Sequence, residues 1–269
     1  MNPIPPLLVL DTATETLHLG LVAGDRRWLR ALPGGAQASA ALLPALFGLL
    51  AEAGLSLREL GAIGFGRGPG AFTGVRTACA VTQGLAYGAD LPVLSLDTLM
   101  AVAEDARSEG AADTLWVAVD ARMGEVYAAQ YRHGDMGWAT LSPPALHDPA
   151  ALARAADGEV AGNSLIAHAA AWADRAEGAG SATFPPAPRW PGAMPRAAAL
   201  LSLAQAAWRR GEQLDAAQAL PCYVRDKVAQ TTAERLAERA ARRPADPPAD
   251  HTADLTAARE VERLARSGP

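Results

Sequence analysis

The sequence predicts an α/β chain made of two copies of one βββαβα unit, with mixed sheets and flanking helices. Three observations predict it. Residues 7–108 alternate between short apolar runs and amphipathic stretches in the order βββαβαβα. A second run with a similar start begins at 115. The two starts also match in detail. LVLD-TATE-TLHLGLV is echoed by VAVD-ARMG-EVYAAQY: strand, terminal aspartate, tight turn, strand.

The elements follow in order. LLVLD at 7–11 reads as a short buried strand. Over 16–22, Leu17, Leu19 and Leu21 share one face, the half-buried strand pattern. Gly24-Asp25 turns the chain into a third strand at 26–31. Residues 36–53 read as a helix with a broad apolar stripe, and Pro44 within it predicts a late start or a kink. Gly54 stops it. A strand at 61–65 leads through a glycine-rich loop, 66–74, into a helix over 74–87. Leu91–Leu96 is the next strand, and Asp97 or Thr98 caps a helix reaching 108. The second unit has strands at 115–119 and 125–131, a turn at His133-Gly134-Asp135, helices at 148–156 and 164–176 around a strand at 158–161, and a last helix at 196–210 after a Pro-rich stretch, 185–195. These boundaries divide the chain into subdomains at 1–110 and 111–226. The remainder, 227–269, is an Arg/Glu/Ala-rich tail with helical pieces at 231–242 and 253–266 and little apolar surface, expected to be mobile. Two βββα units in tandem belong to the actin-like, or ribonuclease H-like, architecture. That is an analogy of fold and does not by itself give a function.

Composition narrows the chemistry. Half of the 269 residues are apolar, enough for a sizeable core. A net charge of −5 argues against a broad nucleic-acid-binding surface. Lys227 is the one lysine, so almost none is left to clamp phosphate or form a Schiff base. Cys79 and Cys222 make neither a disulfide framework nor a zinc motif. The start lacks a basic n-region and no apolar run reaches the length of a membrane span, so a cytoplasmic location is expected.

Three segments could carry chemistry. Asp11-Thr12-Ala13-Thr14-Glu15 puts a carboxylate and hydroxyls in a tight turn, which can hold a hydrated metal and face a phosphate. A turn whose Asp and Thr satisfy local backbone groups is the simpler reading. The loop GFGRGPGAFTGVR, 64–76, crowds Gly64, Gly66, Gly68, Gly70 and Gly74 in front of a helix whose free N–H groups face it. It is an anion site or a device for close packing. It is not a Walker A loop, and the acid required of a dinucleotide fingerprint comes too late, at Asp97. Asp120-Ala121-Arg122-Met123-Gly124-Glu125 gathers two carboxylates and a guanidinium, read first as a charge network fixing a hairpin. His18, His133, His147, His168 and His251 are scattered, with no pair at metal-binding helical spacing. His18 reads as a surface or packing residue and Cys79 as a small core residue. No Gly-x-Ser-x-Gly elbow is present.

VLDTATE, GRGPGAFTGVRTACAVTQGLAYGADLPVLSLDTL, DARMGEVYAAQY and PCYVRDKVA occur in this order over residues 7–229, and together they resemble the TsaB family. The glycine-rich block is the most specific of them. Ala38, where relatives often have histidine, and Ser164, where glycine is expected, depart from the pattern. The resemblance implies an actin-like fold of two subdomains in a non-catalytic subunit. Its partner would be a catalytic paralogue, TsaD, carrying the metal-binding histidines missing here. With an ATPase, TsaE, the pair would transfer threonylcarbamoyl from threonylcarbamoyl-adenylate to N6 of adenosine 37 in tRNAs reading ANN codons. This chain alone would bind no cofactor; ATP and magnesium would serve the assembled complex, and tRNA would be met only through it. The implied dimer contact lies on helices 39–53 and 74–87, with Leu43, Phe47, Val75, Thr82 and Leu85 as contributors. Asp11, Thr12, Gly68, Gly70 and Thr73 would be the phosphate contacts in the complex, if the loop has that role. An apolar helical face tends to self-associate, which leaves a homodimer of the isolated chain open. A stand-alone actin-like phosphotransferase using Asp11-Thr12 and the 66–74 loop is the competing reading.

Overall fold

The computed structural model of this chain describes residues 4–177 and 189–225. The tail at 227–269, with its expected helices, and part of the Pro-rich stretch lie outside the described residues. The elements are β1 (Leu7–Asp11), β2 (Thr16–Ala23), β3 (Arg26–Pro33), α1 (Ala38–Ala53), β4 (Ala62–Gly66), α2 (Phe72–Ala89), β5 (Val93–Leu96), α3 (Thr98–Ser108), β6 (Thr114–Asp120), β7 (Val126–Gly134), β8 (Gly137–His147), α4 (Pro149–Ala155), β9 (Glu159–Ala161), α5 (Ser164–Ala167), α6 (Ala169–Glu177), β10 (Arg189–Trp190) and α7 (Ala197–Arg209).

The strands form two five-stranded mixed sheets, ordered β3-β2-β1-β4-β5 and β8-β7-β6-β9-β10. The match extends to strand direction. In each sheet the first three strands pair antiparallel and the last two are added parallel. One chain pattern has therefore been folded twice, as the matching strand-Asp-turn-strand openings predict.

The first sheet is covered on both faces, which is why β1 is apolar almost without interruption. On one face Leu8, Leu10, Leu17, Leu19 and Leu21 meet Leu42, Leu46 and Leu49 of α1 and Ala78, Cys79 and Ala86 of α2. On the other, Leu7, Val9, Leu94 and Leu96 meet Leu200, Leu201, Leu203 and Ala204 of α7. Each fully buried leucine contributes about 2 kcal/mol. Helix α3 turns its own stripe, Leu99, Val102, Ala103 and Ala106, toward Leu115, Val117 and Tyr131 of the second sheet. The far face of that sheet is closed by Leu152, Leu165 and Trp172 from α4, α5 and α6. Residues 197–209 thus follow the second sheet in sequence but pack on the first.

Local chemistry sets the boundaries. Helix α1 starts at Ala38 after a 3-10 turn, keeps Pro44 on its exposed side, and ends at Gly54 with φ 70°. Asp97 caps α3, accepting the N–H groups of Leu99 and Met100. The helix expected at 164–176 is two helices, because the chain breaks at His168 (φ −123°, ψ 40°). No helix among the described residues is long and apolar enough to cross a membrane.

Candidate functional site

The duplicated strand-Asp-turn elements face each other where the two sheets meet. Asp11 ends β1 and is fully buried. Its Oδ1 accepts the Ala13 N–H at 2.7 Å, and its Oδ2 accepts the Thr98 hydroxyl at 2.8 Å. Thr98 Oγ1 in turn accepts the Gly68 N–H. Burial raises the Asp11 carboxyl to about 6, against the lowering effect of these two hydrogen bonds. Thr12, also buried, donates its hydroxyl to the Gly74 carbonyl at 2.6 Å.

The glycines of the 66–74 loop press onto this turn. A Cβ at Gly66 would lie 1.7 Å from Asp11 Oδ2, at Gly70 2.6 Å from the Ala13 carbonyl oxygen, and at Gly74 1.9 Å from that of Thr12. Ala71 N–H completes the seam on the Ala13 carbonyl. Gly68 takes φ 95° and accepts the Thr98 N–H. The loop thus packs against the turn. Both oxygens of Asp11 and the hydroxyl of Thr12 make hydrogen bonds within the chain. Thr73 is exposed on the first turn of α2.

The second turn is built differently. Arg122, Met123 and Gly124 all take positive φ, at 63°, 57° and 78°. Left-handed backbone at the two side-chain-bearing residues costs about 1–2 kcal/mol each. The expected network is present but wired to other partners. Arg122 reaches back to Asp120 at 3.5 Å and across to Glu15 of the first turn. Glu125 pairs with Arg225 rather than Arg122, and Arg225 also donates to the Ala121 carbonyl. His168, which the spacing of histidines passes over, lies 3.1 Å from Asp120 Oδ1. Behind the loop, Tyr131 on the second sheet donates to Asp97 Oδ2. Burial raises the Asp97 carboxyl, while its hydrogen bonds and the nearby Arg67 charge oppose the rise. His18 is buried beside Asp11 in strand register, and burial pushes its imidazole down to about 4. Cys79 is a core residue, as expected, donating to the Ala219 carbonyl. Ser164 is buried, and its hydroxyl has no hydrogen-bond partner among the described residues.

A second candidate surface lies on the outer sides of α1 and α2. Leu43 (40% exposed) and Phe47 (48%) stand out from α1. Val75 and Thr82 do not belong with them. Both are buried, because the stripe of α2 that meets the sheet is Val75, Ala78, Cys79, Thr82 and Ala86. Leu85 is half-buried against the same core. The outward stripe of α2 is Thr73, Arg76, Ala80, Gly84 and Tyr87, the last 85% exposed. That of α1 is Ala40, Leu43, Pro44, Phe47, Gly48 and Ala51. Both helices pack inward on one core, so both stripes face away from the sheet. Leu43, Phe47 and Tyr87 are the large exposed apolar side chains of these stripes, with Arg76 among them.

Comparison with known proteins agrees with this architecture. The family model described as TsaD, tRNA N6-adenosine threonylcarbamoyltransferase, matches residues 35–245. The tRNA threonylcarbamoyladenosine biosynthesis protein TsaB of Escherichia coli (strain K12) is 37% identical over 149 residues, 53% of this chain and 64% of that protein. The protein of the same name from Haemophilus influenzae is 42% identical over 125 residues, 46% of this chain and 52% of that protein. The matched region thus spans between half and two thirds of these relatives' length. Among solved structures, YeaZ from Pseudomonas aeruginosa is 38% identical with a TM-score of 0.70, covering 82% of this chain and 100% of that one.

Proposed function

This chain belongs to the TsaB family, and we propose that it serves tRNA threonylcarbamoyladenosine biosynthesis as a non-catalytic docking subunit. In this reading the outer stripes of α1 and α2 seat a TsaD-like catalytic paralogue. The assembled complex, which includes a TsaE-like ATPase and uses ATP and magnesium, transfers threonylcarbamoyl from threonylcarbamoyl-adenylate to N6 of adenosine 37 in tRNAs reading ANN codons. The tRNA is held by the complex, in keeping with the net charge of −5 on this chain.

The observation that carries the reading is the exposure of the large apolar side chains Leu43 and Phe47 on α1 and Tyr87 on α2. The seam between the first turn and the glycine loop supports it. Asp11 and Thr12 act there as struts that hold the loop and the N-terminus of α3, not as ligands waiting for a nucleotide.

The test is mass spectrometry of tRNA nucleosides from a strain depleted of this protein. Threonylcarbamoyladenosine should fall. It should return with an Asp11→Asn copy, which keeps the shape of the strut but not its charge, and should not return with Phe47→Glu, which spoils the face. An unchanged nucleoside profile on depletion would reject the assignment. Failure of Asp11→Asn alone, with the variant folded, would move the phosphotransferase reading to the front.

A further inference from the structure

We infer that Arg76 is the charged anchor of the docking face and receives a carboxylate from the catalytic paralogue. This rests on the docking reading given above. Arg76 lies on the outward stripe of α2, one turn from its start. Its guanidinium carbon is 3.7 Å from the centre of the Phe72 ring and 5.4 Å from that of Tyr223. Its Nε–H donates to the Tyr223 hydroxyl at 2.7 Å. The two rings, 5.8 Å apart, are themselves 38% and 49% exposed.

The stack fixes the guanidinium before any partner arrives. Its Nη groups make no hydrogen bond among the described residues. An arginine held in this way offers a fork that fits a carboxylate, with less side-chain freedom left to lose on binding. Arginine and tyrosine are also the residue types most often found to dominate binding energy at interfaces. The strap carrying Tyr223 is tied along α2. Cys79 and Gln83 both donate to the Ala219 carbonyl, and Leu220 and Tyr223 extend the exposed apolar surface past the helix.

The test uses the full-length chain and the catalytic paralogue of the same organism. Affinity is read by calorimetry at low and high salt. Arg76→Ala should weaken the heterodimer about thirtyfold and lessen its salt dependence. Arg76→Lys, which keeps the charge but neither stacks nor forks in the same way, should fall between. Phe47→Glu should disrupt the heterodimer. If Arg76→Ala leaves heterodimer affinity and its salt dependence unchanged while Phe47→Glu still disrupts, the anchor is overturned and the docking face stands. If Phe47→Glu leaves the heterodimer intact, both fall.

Discussion

Replacing Asp11 by asparagine should make the protein more stable at neutral pH, although the side chain is fully buried and hydrogen-bonded. The native carboxyl titrates near 6, against an ordinary 3.8. The folded state therefore binds its proton more tightly than the unfolded state does. Stability is highest below about pH 4 and falls as pH rises from 4 through 6, by about 3 kcal/mol for a shift of this size. His18, on the neighbouring strand, works in the opposite sense. Its imidazole is pushed down to about 4 from 6.5, so the unfolded state binds the proton more tightly and stability falls as pH drops from 6.5 to 4. The two slopes offset each other in the parent. Comparison of Asp11→Asn with the parent cancels His18 and isolates Asp11. Asparagine keeps the bond from Ala13 N–H but leaves the Thr98 hydroxyl hydrogen without its acceptor, a loss of about 1–2 kcal/mol. The variant should therefore be about 1–2 kcal/mol more stable at pH 8 and less stable than the parent at pH 4. Urea unfolding followed by tryptophan fluorescence across this range measures the difference directly. A stability difference that does not change with pH would refute the argument that the carboxylate is held at a desolvation cost.

Gly74→Ala should destabilise the fold by more than about 3 kcal/mol or prevent folding, because its Cβ would lie 1.9 Å from the Thr12 carbonyl oxygen with only backbone to yield; denaturant midpoints decide. Tyr131→Phe removes the donor to half-buried Asp97 Oδ2 and should cost about 1–2 kcal/mol, with faster amide exchange at the start of α3. Phe47→Glu should leave the unfolding midpoint within about 0.5 kcal/mol of the parent's, since the ring is half-exposed, while abolishing capture of the catalytic paralogue in a pull-down.

Much of the architecture was legible because one signal fixed each element: the continuous apolar run of β1, the Asp97 cap, the Gly54 stop. The match between the two strand-Asp-turn openings was enough to find the duplication. Other features were not legible, for physical reasons. Strand β8 contains Pro143 and Pro144, which argue against a strand; they are tolerated because β8 is an edge strand beside an irregular register with β7. On α2 small, uncharged residues occur on both the inward and the outward stripe. Val75 and Thr82 belong to the inward one and Ala80 and Gly84 to the outward one. Composition does not say which faces the sheet, and Val75 and Thr82, expected at the dimer contact, are buried against it. The glycine loop left phosphate binding and close packing open in the sequence, and the distances from Gly66, Gly70 and Gly74 to the Asp11–Ala13 segment describe packing. Arg76 stayed invisible because its partners, Phe72 and Tyr223, are 151 positions apart in the chain.

The placement of α7 has a consequence for synthesis of the chain. The last strand of the first sheet ends at Leu96, yet the side of that sheet bearing Leu7, Val9 and Leu94 is covered by Leu200, Leu201 and Leu203. At ordinary translation rates those leucines follow roughly 5 to 20 s later. During that interval the first half of the nascent chain presents a finished sheet with one bare apolar side, a natural target for a holding chaperone. Release of α7 from the ribosome is the event that closes it, so truncations ending before residue 197 should aggregate rather than yield a smaller folded domain.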